Sequence, residues 1–207
     1  MKDRPKLILE MSLENIDKNA DCDIIGINIS SKREAQVLKT ISFKKPLMVK
    51  SSDTEILLEA LKNLETKAII GIIDENNYKI LIPEIIKGGH TAIIRTPIDI
   101  NLAKEMNILA SDLGLKNILI DTDIGGLGYG FEYGYSIMEK IKLEDDKYLN
   151  FPIISFASEE TAKTKEAKDK NLSLYLEIAS TSAVLATGAD YIVFTKEKAL
   201  QAVRGLL

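Results

Sequence analysis

Two dense stretches of the chain combine residue types that bind ligands. Residues 120–140 read IDTDIGGLGYGFEYGYSIMEK, and residues 95–107 read RTPIDINLAKEMN. Glycines such as Gly126 and Gly128 can place backbone N–H groups against a ligand where a side chain would block its approach, and Tyr129 is expected to face the same space. A tight turn between a strand and a helix needs the same glycines. The pattern therefore leaves two interpretations open, a ligand loop and a plain turn.

Polar side chains also follow short apolar runs elsewhere in the chain. The candidate binding residues of this kind are Asn28, Asp74, Asn76, Arg95, Asp121, Thr122 and Ser155, with Lys50 beside them. Lys50 and Arg95 can hold an anionic or amide-rich ligand, while Asp121 can accept hydrogen bonds from a heterocycle or a sugar hydroxyl. The alternative is a ring of salt bridges in which these charges satisfy only one another.

The chain has one cysteine, Cys22, and one histidine, His90. This pair cannot form an internal disulfide, a zinc site or the ligand set of an iron-sulfur cluster, so we expect no metal site. Neither residue lies where an apolar run ends, and we expect both to be structural. Without them the polar positions lack the usual residues for nucleophilic or proton-shuttling catalysis, and no catalytic residue is assigned.

The composition is that of a soluble globular protein. Of its 207 residues, 45% are hydrophobic and 28% are charged, and the formal net charge is -4. This charge predicts no binding to nucleic acid or to an anionic membrane. No apolar run approaches the roughly 20 residues of a spanning helix, and the first residues do not resemble a secretion signal. We therefore expect a cytoplasmic protein.

Eight almost continuously apolar runs recur at nearly even intervals, as expected of parallel strands covered on both faces. They are residues 6–11, 23–30, 46–51, 68–74, 91–96, 117–122, 151–156 and 191–195. Eight strands alternating with helices predict one (β/α)8 TIM barrel over residues 1–207, whose active face is the carboxyl end of the strands. An open doubly wound sheet is the alternative, but the first strand-to-helix turn lacks a GxGxxG motif.

The segments between these runs have helical periodicity. TEILLEALKNL places apolar residues at three- and four-residue spacing, and Ser52 or Asp53 can cap that helix. Asp99 is a candidate N-cap, and Gly88, Gly89 and Gly114 are expected to end helices. The longest connection is predicted to hold two helices, within residues 158–168 and 172–188.

Several ordered motifs resemble the small (delta) subunit of the corrinoid iron-sulfur protein, part of the acetyl-CoA decarbonylase/synthase system of methanogens and acetogens. The segments that carry this resemblance are residues 74–79, 89–109, 120–143, 151–155, 164–168 and 176–194. Together they span roughly residues 68–200, and their consistent order is more specific than any one glycine loop.

The resemblance implies a TIM barrel related to the methyltransferases that bind methyltetrahydropterin. It also implies a large partner subunit that carries the iron-sulfur cluster and the corrinoid (cobamide), in a heterodimer or a larger complex, with no independent catalysis by this chain. The small subunit would cover the corrinoid during methyl transfer between a methylated pterin and cobalt. The cysteine count agrees, because this chain has too few cysteines to hold the cluster.

Two other functions stay open at this point. The chain lacks tryptophan, whereas the family usually has a tryptophan-containing stretch before residues 176–194, and family members are longer. A stand-alone pterin-binding methyltransferase would bring Asn28, Asp74, Asn76 and Asp121 together around a pterin ring. A non-catalytic paralogue would keep the barrel only for assembly or regulation.

Overall fold

The chain folds into eight parallel strands that alternate with helices. The computed structural model describes residues 4–125, 127–128 and 130–207. The strands are β1 (Lys6–Ser12), β2 (Ile24–Asn28), β3 (Leu47–Lys50), β4 (Ala68–Ile73), β5 (Thr91–Arg95), β6 (Ile118–Asp121), β7 (Ile154–Ser155) and β8 (Tyr191–Phe194). Each strand lies within a predicted apolar run or extends one residue beyond it. The apolar runs therefore locate all eight strands.

Helices follow the strands and cover the outside of the sheet. They are α1 (Lys32–Val37), α2 (Thr54–Asn63), α3 (Tyr78–Gly88), α4 (Ile100–Asp112), α5 (Phe131–Leu143), α6 (Ala157–Ala162), α7 (Lys170–Ala186) and α8 (Glu197–Arg204). Short 3₁₀ turns lie at residues 13–15, 38–40 and 166–168. The connection between β1 and β2 is too short for more than one such turn. The region predicted as one helix over 158–168 is instead α6 followed by a separate 3₁₀ turn.

The sheet closes into a barrel, which confirms the predicted (β/α)8 architecture. Its strand order is β6-β5-β4-β3-β2-β1-β8-β7, with all pairs parallel. An isolated parallel bridge between Ile120 and Ile153 joins β6 to the residue before β7. The amide of Ile120 donates to the carbonyl of Pro152 at 2.9 Å and completes this contact. The open doubly wound sheet is therefore excluded.

Apolar side chains fill the barrel and the layer outside it. The inner core consists of Ile8, Ile24, Met48, Ile93, Leu119, Ile154, Phe156 and Val193. A larger cluster lies between the outer face of the strands and the helices. Gly26 is required by this packing, because a Cβ there would lie 2.9 Å from Met48 Cε and 3.1 Å from Glu10 Cα. The barrel interior is thus a solid core that supports its mouth.

Acidic caps start three of the helices. Asp53, Asp99 and Asp169 each accept hydrogen bonds from two backbone amides in the first turn of α2, α4 and α7. Gly89 ends α3 in the left-handed conformation that glycine adopts without strain. The predicted caps at Asp53 and Asp99 are confirmed. Because helices start at the carboxyl ends of the strands, these caps also shape the mouth of the barrel.

Candidate functional site

Six side chains form one layer at the carboxyl ends of the strands, which we call the mouth layer. Its members are Glu10, Asn28, Lys50, Arg95, Asp121 and Phe156. In a strand, alternate residues face the same side, and the residues two positions earlier include Ile8, Met48 and Ile93 of the inner core. The mouth layer therefore lies directly above the apolar core, at the face where barrels carry their sites.

The charges of the mouth layer are joined into a network by Glu159 from the first turn of α6. Lys50 Nζ lies 2.8 Å from Glu10 Oε2 and also contacts Glu159 Oε1. Arg95 Nε donates to Asp121 Oδ2 at 2.6 Å, and its Nη2 lies 3.9 Å from Glu159 Oε2. The salt-bridge alternative drawn from the sequence therefore describes how these side chains are arranged.

One aromatic ring contacts both cations of this network. The centroid of the Phe156 ring lies 5.0 Å from Lys50 Nζ and 4.9 Å from Arg95 Cζ. At these distances the ring face attracts both positive charges. Phe156 thus belongs to the inner core on one side and orients the two cations on the other.

Burial changes the proton affinities of the mouth. Desolvation lowers the pKa of Lys50, and the contact with Glu10 only partly opposes this change. Burial also acts against the charge of Arg95, but Asp121 outweighs it and raises the pKa of the guanidinium. Asp123 lies just above this layer, where burial raises the pKa of its carboxyl and Arg95 partly opposes the rise. Keeping these side chains charged in the mouth therefore costs solvation free energy.

Two adjoining cavities open at this end of the barrel. The mouth cavity, about 350 Å³, is lined by Asn28, Lys50, Ser51, Ser52, Ile72, Asp74, Asn77, Arg95 and Glu159. The side cavity, about 430 Å³, lies beside the start of α3 and along α4. Asp74 and Arg95 border both spaces. Both volumes lie in the range of small-molecule sites, which is roughly 300–1,000 Å³.

The structure brings some of the predicted binding residues together and separates others. Asn28, Asp74 and Arg95 line the mouth cavity, while Asn76 lines the side cavity. Asp121 is buried in its ion pair with Arg95. Thr122 is buried next to it in the chain.

Ser155 does not belong to the mouth layer. It lies between two inner-core residues, Ile154 and Phe156, so strand alternation turns it toward the helices. Its hydroxyl is buried without a hydrogen-bond partner in the described part of the chain.

The glycine loop and the RTPIDIN segment meet at the same end of the barrel. Arg95 and Asp121 are paired across β5 and β6, and the amide of Thr96 donates to the carbonyl of Asp121 at 3.0 Å. Gly128 is exposed, and both Gly128 and Gly130 have positive φ angles, 77° and 92°. Asp123 has a φ of 50°, which is uncommon for a residue other than glycine. Gly126 and Tyr129, also predicted here, lie outside the described residues.

Three residues of this region were missed from the sequence. Phe156 directly follows β7 and Glu159 lies in the first turn of α6, in a segment where the sequence analysis considered only Ser155. Glu177 is fully buried in α7, where it accepts four hydrogen bonds from Thr195 and Lys196. A detectable signal existed for Glu177, because it is the one charged residue between positions 171 and 189. A lone charge in an otherwise uncharged helix indicates a buried partner.

The one histidine and the one cysteine of the chain are both buried. His90 is buried at the amino end of β4, where its Nδ1 accepts a hydrogen bond from the amide of Ala68 at 3.1 Å. Desolvation lowers the pKa of His90, and burial raises the pKa of the Cys22 thiol. Within residues 4–125, 127–128 and 130–207, no cluster of three or more metal-ligating side chains exists. In the same ranges, no helix is long and apolar enough to cross a membrane.

Asp123 makes the stability of the protein depend on pH. Because its pKa is raised on folding, the folded state binds more protons between the unfolded and folded pKa values. Stability therefore falls as pH rises through this window, and the deficit is complete above it. We expect Asp123→Asn to raise the free energy of unfolding at pH 7 by at most about 1 kcal/mol, since solvent screens a partly buried charge.

The measurement is urea unfolding at pH 7 and at pH 3.5, where the difference between the two proteins is expected to shrink. Asparagine also tolerates a positive φ, so the backbone at position 123 is not newly strained. Asp145→Asn is the matched control, because Asp145 is exposed in the loop after α5 at the other end of the barrel. A loss of stability at pH 7 in Asp123→Asn would contradict the assignment.

Comparison with known families and proteins gives a consistent result. A family model described as CO dehydrogenase/acetyl-CoA synthase delta subunit matches residues 4–199. The acetyl-CoA decarbonylase/synthase complex subunit delta of Methanopyrus kandleri is 27% identical over 124 residues, which cover 54% of this chain and 31% of that protein. The corresponding subunit of Archaeoglobus fulgidus is 36% identical over 75 residues, covering 33% of this chain and 17% of that protein. The matches thus cover about a third or less of these relatives' length.

The fold as a whole is similar to solved dihydropteroate synthases. The enzyme from Thermus thermophilus superimposes with a TM-score of 0.73 at 15% identity, covering 99% of this chain and 92% of that chain. The enzyme from Coxiella burnetii, solved in complex with pteroic acid, has a TM-score of 0.70 at 13% identity, covering 100% of this chain and 93% of that chain. At such identities the likeness concerns the barrel fold alone.

Proposed function

Because this chain belongs to the CO dehydrogenase/acetyl-CoA synthase delta subunit family, we propose that it is a delta-type subunit that takes part in methyl transfer between a methylated tetrahydropterin and acetyl-CoA synthase/decarbonylase. The observation that carries this proposal is the family match over residues 4–199, which includes the whole barrel up to the start of α8. We expect the chain to act in one-carbon metabolism together with other subunits.

In this proposal, a larger partner subunit binds the corrinoid and the iron-sulfur cluster. This chain has one cysteine, and its one histidine is buried at the amino end of β4. No described side chain of the mouth layer is a thiol or an imidazole. The chemistry of the corrinoid, which accepts and donates a methyl group through cobalt, would come with the partner.

The size of the mouth supports a covering role over an enclosing one. At about 350 Å³, the mouth cavity is too small for a corrinoid macrocycle with its substituents. The macrocycle would lie across the rim, where Asn76 and Gly128 are exposed. The carboxylates of the mouth layer are held in ion pairs with Lys50 and Arg95. The described mouth is therefore suited to bind and orient a ligand and to exclude water.

The first experiment is anaerobic purification of the tagged chain from its native cells, with a UV-visible spectrum of the product. We expect corrinoid and iron-sulfur absorption bands together with a larger second polypeptide, which mass spectrometry identifies. A colourless single chain, obtained under conditions that preserve other iron-sulfur complexes of the same cells, would overturn the proposal.

A pair of tryptophan variants tests which face the partner covers. Asn76→Trp adds bulk at the exposed rim, and we expect it to reduce the recovered partner at least tenfold, because a bulky protruding side chain prevents close packing. Lys116→Trp adds the same bulk at an exposed position before β6, at the opposite end of the barrel. Equal recovery with the two variants would place the interface elsewhere on the chain.

A second candidate function is that of a stand-alone pterin-binding methyltransferase. Its support is the mouth cavity, whose volume suits a bicyclic ligand and whose wall offers Asn28 and Asp74. Isothermal titration calorimetry of the isolated chain with a methylated tetrahydropterin distinguishes this candidate from the subunit. Saturable binding that Asp74→Asn weakens would favour this candidate, and absence of heat would favour the subunit. The third candidate, a non-catalytic paralogue, predicts neither a coloured complex nor pterin binding.

A further inference from the structure

Large apolar side chains are exposed on two neighbouring helices, α3 and α4. Ile80 and Ile86 of α3, Leu102 of α4 and Leu113 directly after α4 are between 39% and 52% exposed. We call these four side chains the α3–α4 face. By contrast, α1, α2, α6 and α8 expose no large apolar side chain. Monomeric proteins seldom expose large contiguous apolar patches, and such patches usually bind another molecule.

The two helices lie side by side, so the α3–α4 face is one surface. At the end far from the mouth, a Cβ built on Gly114 would lie 3.9 Å from Ile86 Cδ1, so the residue that follows α4 contacts α3 there. Near the mouth, Tyr78 of α3 borders the same cavity as Leu102 and Leu109 of α4. The surface therefore runs along the side of the barrel rather than across its mouth.

The two helices carry exposed charges of opposite sign beside these apolar side chains. In α3, Lys79 and Lys87 are exposed, and only Lys87 has an ion-pair partner among the described residues, Glu84 at 3.5 Å. In α4, Glu105 and Asp112 are exposed, and neither forms an ion pair with a described residue. A surface that carries both signs in separate rows can bind a copy of itself, because each row then meets the opposite one.

The two rows of charge also match in height along the helix axes. Each residue of a helix advances by about 1.5 Å, so heights can be counted from the contact between the ends of α3 and α4. Lys79 then lies about 10 Å nearer the mouth than this contact, and Glu105 about 13 Å nearer. Lys87 and Asp112 both lie within about 3 Å of the height of the contact. Each lysine is therefore within one helical turn of the height of a carboxylate.

We propose that the α3–α4 face is a dimer interface, through which α3 of one copy of this chain packs against α4 of a second copy. A two-fold axis parallel to these helices brings α3 opposite α4 and leaves every height unchanged. Lys79 of each copy then faces Glu105 of the other, and Lys87 faces Asp112, with the apolar side chains between them. A two-fold axis perpendicular to the helices would place α3 against α3 and lysines near lysines. The charges therefore select the first arrangement.

This dimer is compatible with the proposed larger subunit. Because the two-fold axis is parallel to the helices, the mouths of both barrels open in the same direction. The interface lies on the side of each barrel, so the larger subunit can cover the mouths while the dimer persists. The dimer needs no cofactor, and the isolated chain is expected to form it.

Sedimentation velocity of the isolated chain tests the proposal by a charge exchange. At about 100 µM, a concentration that populates a dimer of micromolar Kd, we expect a species of twice the chain mass of 23.0 kDa. Lys87→Glu and Asp112→Lys each bring like charges together at both symmetric contacts, so each should raise the dimer Kd at least about tenfold. The double variant Lys87→Glu/Asp112→Lys exchanges the two charges and should restore dimerisation to within about threefold of the wild type.

A matched variant controls for charge alone. Lys198→Glu reverses an exposed charge of α8, on the opposite side of the barrel, and should leave the Kd unchanged. All variants change exposed positions and should keep the wild-type circular dichroism spectrum.

Several results would overturn the proposal. These are a monomeric wild-type chain at this concentration, a dimer that neither single reversal weakens, and a double variant that stays as weak as the single ones. A monomeric chain whose Lys87→Glu variant loses the larger subunit would show that this subunit covers the α3–α4 face instead. The sedimentation results do not depend on the corrinoid partner, so the proposed function stands or fails separately.

Discussion

Glu177→Ala is expected to lower the free energy of unfolding by about 3–5 kcal/mol, because it deletes a fully buried carboxylate and leaves several donors unpaired, at about 1–3 kcal/mol for each one that is buried. Glu177 is fully buried, and its Oε1 accepts from the amides of Thr195 and Lys196 at 2.7 and 2.9 Å. Its Oε2 accepts from the Thr195 hydroxyl and the Lys196 ammonium, both at 2.7 Å. Truncation would leave four donors without a partner at the end of β8.

Urea unfolding of the wild type and two variants measures this effect. Glu177→Gln keeps one acceptor oxygen but loses the charge, so a smaller loss of about 1–3 kcal/mol is expected. Glu139→Ala, at an exposed position of α5, should stay within about 0.5 kcal/mol. Equal losses in Glu177→Ala and Glu139→Ala would mean that this carboxylate does not hold α7 to the barrel.

Lys50→Met is expected to cost a similar amount, about 3–5 kcal/mol, because it removes one partner of an ion pair that is buried on both sides. Lys50 and Glu10 side chains are each 8% exposed, and the lysine also contacts Glu159. Methionine fills much of the same volume, but it leaves the buried Glu10 carboxylate without its cation and Glu159 with only the longer contact to Arg95. The loss should appear in urea unfolding at neutral pH.

A matched surface pair separates burial from charge in this experiment. Lys32 lies 3.0 Å from Glu55, with side chains 58% and 71% exposed, so Lys32→Met should cost no more than about 1 kcal/mol. The double variant Lys50→Met/Glu10→Gln should recover part of the loss, because one unpaired charge is then removed. If Lys50→Met behaved like Lys32→Met, the mouth network would contribute no more than a surface contact.

The fold was largely predictable because burial on both faces leaves a direct trace in the sequence. Each parallel strand is a short apolar run, and helix ends are marked by Asp53, Asp99 and Gly89. The exact extent of β7 was not predictable, since residues 151–156 form an apolar run but only Ile154 and Ser155 have ladder pairs. Pairing depends on the neighbouring strand, which local sequence does not specify.

The candidate site was predictable only in its location. Strand ends placed Asn28, Lys50, Arg95 and Asp121 at one face, and the structure brings them there. Partner choice was not predictable, because Glu159 reaches Lys50 and Arg95 from a helix that a linear pattern does not orient. The side cavity along α4 was also not predictable, because the apolar stripe of a helix does not show whether a neighbouring helix covers it.

The closure of the barrel at β6 and β7 has a consequence for motion. These strands are joined by the single bridge between Ile120 and Ile153, beside a two-residue strand, and Pro152 has no amide to donate. The contact between β6 and β7 is the weakest strand contact of the barrel, so the first local unfolding should occur there. The glycine loop leaves β6 at the same point. Amide hydrogen exchange should therefore be faster at Ile120 than at Ile93. Local opening of the rim should start only on the side where β6 and β7 meet.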